Sequence, residues 1–480
     1  MKNPFRLVCL LWMLLSFSGI RALQAQQADT LVLDLEQCIA YAWENNLRLQ
    51  QQKLGVDVAR ENLRQSQANR FPNLNASASH AYNFGRTIDP FTNDFATESV
   101  RSNNFSISSG LNLFSGFQLQ NTIGQNRMEL QAGVLDLEKS YNDIALLVAS
   151  AYLQILFSSE LVGIVDNQLE ITRQQLERTR QLVQAGTLAR GALLTIEAQL
   201  AGEELQLVNA RNQLDLAYLN LSQILFLSPE QQLFIVFPDL DEVPVMEPEP
   251  SPLQMYRIAL GLQPDVKASE FRIASAERGV AIARGARSPS VRLSGSLGTG
   301  YSEASVEIFG EVPTGLNQMV VRDNGEILLF PIMDRQIRRK PFNDQLNDNL
   351  NRSVGLFVSI PLFNNYQVRS SVSRARINLD NARLQNQIVR EQLFQTIQQA
   401  HADASASLKR YLASQTNVVA LEEAFRYTQQ RFNVGMVNSL EYNDAKNRLA
   451  AAQSELLQSR YEYLFRMKIL DFYQGNPLNF

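Results

Sequence analysis

The sequence predicts a mostly α protein with a transmembrane β-barrel portion, built from a duplicated helix–strand–strand–helix unit. Three observations carry this. Two very long helical patterns end in glycine turns with matching surroundings, at Gly186 and Gly435. Each is preceded by two runs of about ten residues that alternate apolar with small polar side chains, the length and period of a tilted membrane strand. Nothing else in the chain reads as a second sheet that would cover their apolar faces in a soluble sandwich.

The chain opens with Lys2 and Arg6, an apolar run from Leu7 to Ile20, and then Ala22-Leu23-Gln24-Ala25. This is the pattern of a secretory signal peptide over residues 1–25, its apolar run too short to span a bilayer. No cysteine stands at the cleavage point, so no lipid anchor is expected. Cleavage takes Lys2, Arg6 and Arg21, leaving 41 of the 44 basic residues against 48 acidic ones, a net charge of about −7. No basic cluster has the size that nucleic acid demands. Cys9 leaves with the signal, and Cys38 remains on the apolar face of the first helix, where a buried structural role is the default for a lone thiol. No later segment approaches the eighteen or so continuous apolar residues of a membrane helix, so membrane entry requires a closed β-barrel.

The first repeat occupies residues 26–227 and the second 253–480, joined by a linker at 228–252 that is acidic and proline-rich after Phe234-Ile235-Val236-Phe237. Each repeat starts with a short helix, at 35–46 and 253–263, and a following helix that runs to a proline, Pro72 or Pro289. The residue before proline is pushed out of the α region, so these prolines mark a helix-to-strand swivel. In the strands, Leu74, Ala76 and Ala78, then Phe105, Ile107, Leu111 and Leu113, alternate with serine, glycine and asparagine. The second repeat has Val291, Leu293 and Leu297, then Val354, Leu356, Val358 and Ile360. Tyr82, Phe84, Phe114, Phe363 and Tyr366 stand at strand ends, where an aromatic girdle belongs. Two polar loops remain, a short one at 85–104 and a long one at 302–351, whose role the sequence does not reveal.

The long helices, near 117–184 and 366–433, carry a seam stepping by three and four. It runs Ile144, Val148, Ala151, Ile155, Ser158 to Leu169, Thr172 and Thr179, and again Leu393, Ile397, Ala400, Ala404, Ser407 to Val418 and Phe432. A period of 3.5 held this long means a coiled coil, and about 68 residues at 1.5 Å each span on the order of 100 Å. Each helix then turns at its glycine and returns. Glycine suits the left-handed residue that closes a helix, and Asn438 is a natural N-cap with Glu441 placed to complete a capping box.

Four strands cannot close a barrel, because about eight is the practical minimum. Open edges are not tolerated in lipid, so other copies must close the sheet. Three copies give twelve strands with room for water, and cyclic homo-oligomers are the common solution.

The whole mature chain resembles the TolC family of outer-membrane channels, the exit ducts of efflux pumps and type I secretion in Gram-negative bacteria. The resemblance rests on the order and duplication of the unit, on Ile360-Pro361-Leu362-Phe363 with its counterpart Leu111-Asn112-Leu113-Phe114, and on the paired glycine tips. It implies a homotrimer with a twelve-strand barrel in outer-membrane lipid and a helical tunnel in the periplasm. It also implies docking of the Gly186 and Gly435 tips onto a periplasmic adaptor (membrane fusion) protein, fed by an inner-membrane transporter. By the same resemblance, Glu441 and Asp444 form a periplasmic acidic gate, two stacked rings that attract cations and raise one another's pKa values. The alternative for these two is a helix cap and a surface charge. Phe432, Val437 and Gly191-Ala192 stand where the family has a tyrosine, an arginine and polar partners.

Catalysis has no support in the sequence. His80 and His401 are isolated, no metal-spaced cluster or triad-like set occurs, and no glycine-rich phosphate loop follows a strand. No catalytic, cofactor-binding or metal residue is assigned. The rival reading is a secreted, non-conducting coiled-coil scaffold or adaptor protein.

Overall fold

Asp34 starts the first helix by accepting the Gln37 N–H at 2.8 Å, while the Gln37 side chain takes the Asp34 N–H at 3.0 Å, a complete capping box. The computed structural model describes residues 30–89, 91–93, 95–96, 99–238, 245–323 and 325–476. The expected signal peptide and part of the linker lie outside them.

The first repeat runs β1 (Thr30–Leu33), α1 (Leu35–Asn45), α2 (Leu47–Ala68), β2 (Asn73–Asn83), β3 (Thr87–Ile88), β4 (Phe95–Ala96) and β5 (Val100–Ser115). It ends with the hairpin of α3 (Gln118–Gln184) and α4 (Arg190–Leu225). The second runs β6 (Gln232–Ile235), α5 (Pro252–Leu262), α6 (Pro264–Gly285), β7 (Ser290–Ser302), β8 (Val306–Val321) and β9 (Ile327–Arg339). It continues with α7 (Phe342–Asp348) and β10 (Asn351–Ser359), and ends with the hairpin of α8 (Gln367–Asn433) and α9 (Ser439–Tyr473).

The break between the first two helices of each repeat is made twice by different chemistry. Asn46 ends α1 and its side-chain oxygen accepts the Arg48 N–H at 2.9 Å, whereas in the second repeat Pro264 has no N–H to satisfy.

Contacts divide the chain into two compact units. One holds Met1–Val58, Gln131–Glu270 and Leu384–Phe480; the other holds Ala59–Leu130 and Phe271–Arg383. The first unit contains two cores at matching repeat positions. Cys38, Ala42 and Leu49 are buried with Ile144, Val148 and Leu221. Met255, Ala259 and Val266 are buried with Leu393, Ile397 and Leu470. Cys38 thus fills the place that Met255 fills in the second repeat. Every seam residue named above is buried or half-buried. Part of α3 is apolar enough, by length and composition, to cross a bilayer, contrary to the expectation for a later segment. Its apolar side chains, among them Val148, Ile155 and Leu156, are spent on the first core instead. β1 and β6 add a short parallel pair, Thr30 opposite Gln232 and Leu33 opposite Ile235.

The second unit contains a four-stranded antiparallel sheet in the order β10-β7-β5-β2, so β2 and β10 are its open edges. Register lines up the two faces. Ala76, Ile107 and Leu297 share an apolar row that ends on Arg352 of β10, and Asn75, Ser108, Ser296 and Ser353 share a polar one. One detail departs from the alternation. A bulge between Asn112 and Phe114 leaves Leu113 unpaired and sets Phe114 opposite Val291. Phe114, Phe363 and Tyr366 are exposed at one end of the strands, and Tyr82 and Phe84 at the other.

The stretch 302–351 is not a polar loop. β8 and β9 form a long antiparallel hairpin, and α7 packs beside the end of β7, where the Gln345 side chain bonds both backbone groups of Ser302. The separation of matching positions is constant from Leu35/Pro252 to Pro72/Pro289 and constant again from Gln118/Gln367 onward. Between them it grows by nearly the length of this hairpin, which marks β8–β9 as an insertion in the second repeat.

Candidate functional site

The two hairpin tips close in the same way. At the first, the Gly186 N–H donates to the Val183 carbonyl and the Thr187 N–H to the Leu182 carbonyl, each at 3.0 Å. At the second, the Gly435 N–H donates to Phe432 at 3.1 Å and the Met436 N–H to Arg431 at 2.9 Å. Both are Schellman closures with glycine in the left-handed region, at φ 73° and 79°. A Cβ at either glycine would meet nothing within 4 Å, so the requirement is conformational rather than steric.

Past the second tip, the Asn438 side chain accepts the Glu441 N–H at 2.9 Å. The expected capping box is only half made, because the Glu441 carboxylate makes no return bond among the described residues. Glu441 and Asp444 are both exposed, and Asp444 is paired with Arg448 at 2.9 Å. Among the described residues, then, the two candidate gate carboxylates differ: Asp444 is engaged and Glu441 has no partner. The interior of this tip is aromatic. Tyr442 packs on Phe432 at 4.7 Å and on Phe425 at 5.4 Å between ring centroids, and Val437 is buried nearby in sequence. Burial raises the Tyr442 pKa against a bond from Gln429.

Sequence reasoning missed the polar node that ties the two hairpins together. Lys446 on α9 and Glu203 on α4 are only 4% and 5% exposed and lie 3.0 Å apart. The Lys446 ammonium also donates to the Gln168 carbonyl at 2.8 Å and to the Thr172 hydroxyl, both on α3. Thr172 in turn donates to Glu203, as does Gln199 at 2.8 Å. Burial pulls the lysine below its ordinary range, and the Glu203 carboxylate opposes that shift. Nearer the tip, Arg178 on α3 donates to the Asn433 side chain at 2.8 Å. The available signal was a charge on a heptad seam: Glu203 falls in the series Ile196, Ala210, Ala217, all buried.

Pro72 and Pro289 lie in the turns between α2 and β2 and between α6 and β7. Beside the second turn is a pair that the sequence did not suggest. A Cβ on Gly116 would come within 2.2 Å of the Gly285 carbonyl, and one on Gly285 within 2.4 Å of the Gly116 carbonyl. Two successive left-handed residues lead from strand to long helix in each repeat, Gly116-Phe117 and Asn365-Tyr366.

The histidines are accounted for by neighbours. His80 meets the Asn103 side chain, and His401 lies 3.2 Å from the Pro248 carbonyl. Among the described residues no group of three or more His, Cys, Asp or Glu side chains could hold a metal ion.

Residues 39–225 and 255–475, the bulk of both repeats, match the family model described as outer membrane efflux protein. The chain belongs to that family. The efflux protein BepC of Brucella suis is 21% identical over 88% of this chain and 80% of its own length. The outer membrane protein TolC of Escherichia coli is 23% identical over 94% of this chain and 82% of its own. Among solved structures, the CmeC outer membrane channel of Campylobacter jejuni superposes with a TM-score of 0.71 at 16% identity, covering 92% of this chain and 85% of that one. VceC of Vibrio cholerae gives 0.69 at 18%, covering 93% and 97%. Membership in the outer membrane efflux protein family places this chain in the outer membrane as an efflux channel, and the observed fold is that of these channels.

Proposed function

We propose that the chain forms a homotrimeric exit duct, a passive conduit whose periplasmic helix tips are opened by an adaptor protein linked to an inner-membrane transporter. The observation that carries this is the four-stranded sheet with both edges unpaired, one apolar face and one face of serine, glycine and asparagine. Such a sheet is stable in lipid only when closed, and three copies would close it at twelve strands around water. Pro72 and Pro289 would mark the swivel from helix to strand. The Gly186 and Gly435 tips would be the adaptor-docking surface, and no reaction is catalysed.

In a threefold ring Glu441 would carry the acidic gate. Asp444, already neutralised in part by Arg448, would contribute less. The node at Lys446 and Glu203 and the Arg178–Asn433 bond would hold the two hairpins of each chain together at rest. The test is planar-bilayer conductance of wild type, Glu441→Ala and Asp444→Ala, with a trivalent cation added at the periplasmic side. Small cation-selective openings, blocked in wild type and Asp444→Ala but released in Glu441→Ala, are expected. Openings indifferent to both substitutions would remove the gate and keep the channel. A detergent-free, water-soluble protein would overturn the duct.

A further inference from the structure

We infer that Arg292 and Phe357 make a binding station for organic anions on the water-facing side of the strands, repeated in each copy around the barrel. This rests on the oligomeric duct proposed above.

The strands β2, β5, β7 and β10 contain no Asp or Glu, and their basic residues are Arg101, Arg292 and Arg352. Register puts Arg101 and Arg352 on the apolar face, so Arg292 is the only charged side chain on the polar one. It is exposed, near the start of β7 at the helix end of the sheet. It makes no hydrogen bond or ion pair among the described residues. Asn112 stands opposite it on β5 and Phe357 opposite it on β10. Phe357 is the only aromatic ring that these strands place on the polar face, and it is 61% exposed.

These two long side chains lean the same way along the sheet. A Cβ on Gly110 would lie 2.7 Å from Nη2 of Arg292, and one on Gly355 would lie 2.9 Å from Cε2 of Phe357. Neither glycine is left-handed, so its backbone does not require glycine; what it supplies is space. Gly110 and Gly355 both pair with Ser294, one from each side. The guanidinium and the ring therefore flank Ser294. With strands about 4.8 Å apart they are roughly 10 Å from one another.

This arrangement selects its occupant. Lipid lies against the other face, and a cation is repelled. A simple inorganic anion would leave the ring bare. An organic anion fits both parts, its carboxylate or sulfonate accepting the guanidinium N–H groups while its apolar body covers Phe357. Twelve strands tilted about 40° make a barrel about 12 Å in backbone radius, so three such stations face one lumen. Charged side chains ringing a pore are how channels choose the sign of what they hold.

The test is binding of pyrenetetrasulfonate to the full-length protein in neutral detergent, read by fluorescence anisotropy. At about 0.01 M salt the screening length is about 30 Å, and the three charges act together. Wild type and Arg292→Lys should bind under these conditions, and binding should weaken at about 0.15 M salt, where screening shortens to about 8 Å. Arg292→Gln should bind about tenfold more weakly or worse, through loss of the local field. Phe357→Ser should lose about fivefold, through loss of the ring contact. Ser294→Glu keeps both groups but sets a carboxylate beside the guanidinium, and should abolish binding. Heat-modifiable mobility checks that each variant is folded. Equal affinity in wild type and Arg292→Gln would overturn the inference, as would a trimeric wild type that does not bind. A wild type that native mass shows to be monomeric would instead fail the duct reading beneath it.

Discussion

Lys446 is a charged residue placed where a coiled coil keeps its apolar seam, and it is tolerable only because Glu203, Thr172 and the Gln168 carbonyl surround it. Lys446→Met strands a buried carboxylate and should cost about 3–5 kcal/mol, whereas adding Glu203→Leu should recover most of that loss. Thermal unfolding in detergent of the two single variants and the double variant closes the cycle. Cys38 shows the opposite case, a reactive group made inert. Burial, with the Asp34 charge second, pushes its thiol up to about 12. No modification by maleimide at pH 8 is therefore expected until the chain is unfolded, and labelling followed by mass spectrometry reads this directly. Cys38 was legible as a core residue because apolar neighbours recur around it at helical spacing. The Lys446–Glu203 pair was not, because its partners are separated by 243 positions and neither shows its mate locally.

At the scale of elements, the long helices were readable because a 3.5-residue period is written into every turn, including its polar steps at Ser158, Thr172 and Ser407. The strands were readable because small and apolar side chains alternate. β8 was not, since Gly310, Pro313 and Gly315 interrupt it and both of its faces become apolar beyond them. The tip glycines predict a simple experiment. Gly435→Ala should cost about 1 kcal/mol through backbone strain alone, and Gly435→Asn less, because asparagine tolerates the left-handed region. The Gly116–Gly285 contact behaves differently. Gly285→Ala collides with backbone and should reduce the yield of folded, membrane-inserted protein far more than either tip substitution, as read by heat-modifiable mobility. Near the end of β7, burial works against ionisation of Asp89, but bonds from Ser302, Phe91 and Thr92 outweigh it and hold its carboxyl below the ordinary 3.8. The folded value is the lower one, so this contribution is complete above about pH 3.8 and is lost as pH falls through the folded value. Protease sensitivity around Asp89 should stay low at pH 7 and rise only as the pH falls below 3.8 towards the folded value.

For the whole molecule, duplication is the organising fact, and its exceptions are informative. The sequence shows two copies of one plan. The structure shows where they diverge: the β8–β9 insertion belongs to one repeat only, and the Lys446 node has no counterpart. At the matching positions stand Glu197 for Lys446, Ala452 for Glu203 and Leu421 for Thr172. A ring of three such chains would look sixfold along its helical wall, with six hairpins in near-equivalent places. Its seams would nonetheless be of two kinds. Three would be stitched by a buried charge within each chain, and three, between chains, would carry no such stitch. In the proposed trimer such a wall would not loosen evenly: it would part first along the three unstitched lines, each chain moving as one stave.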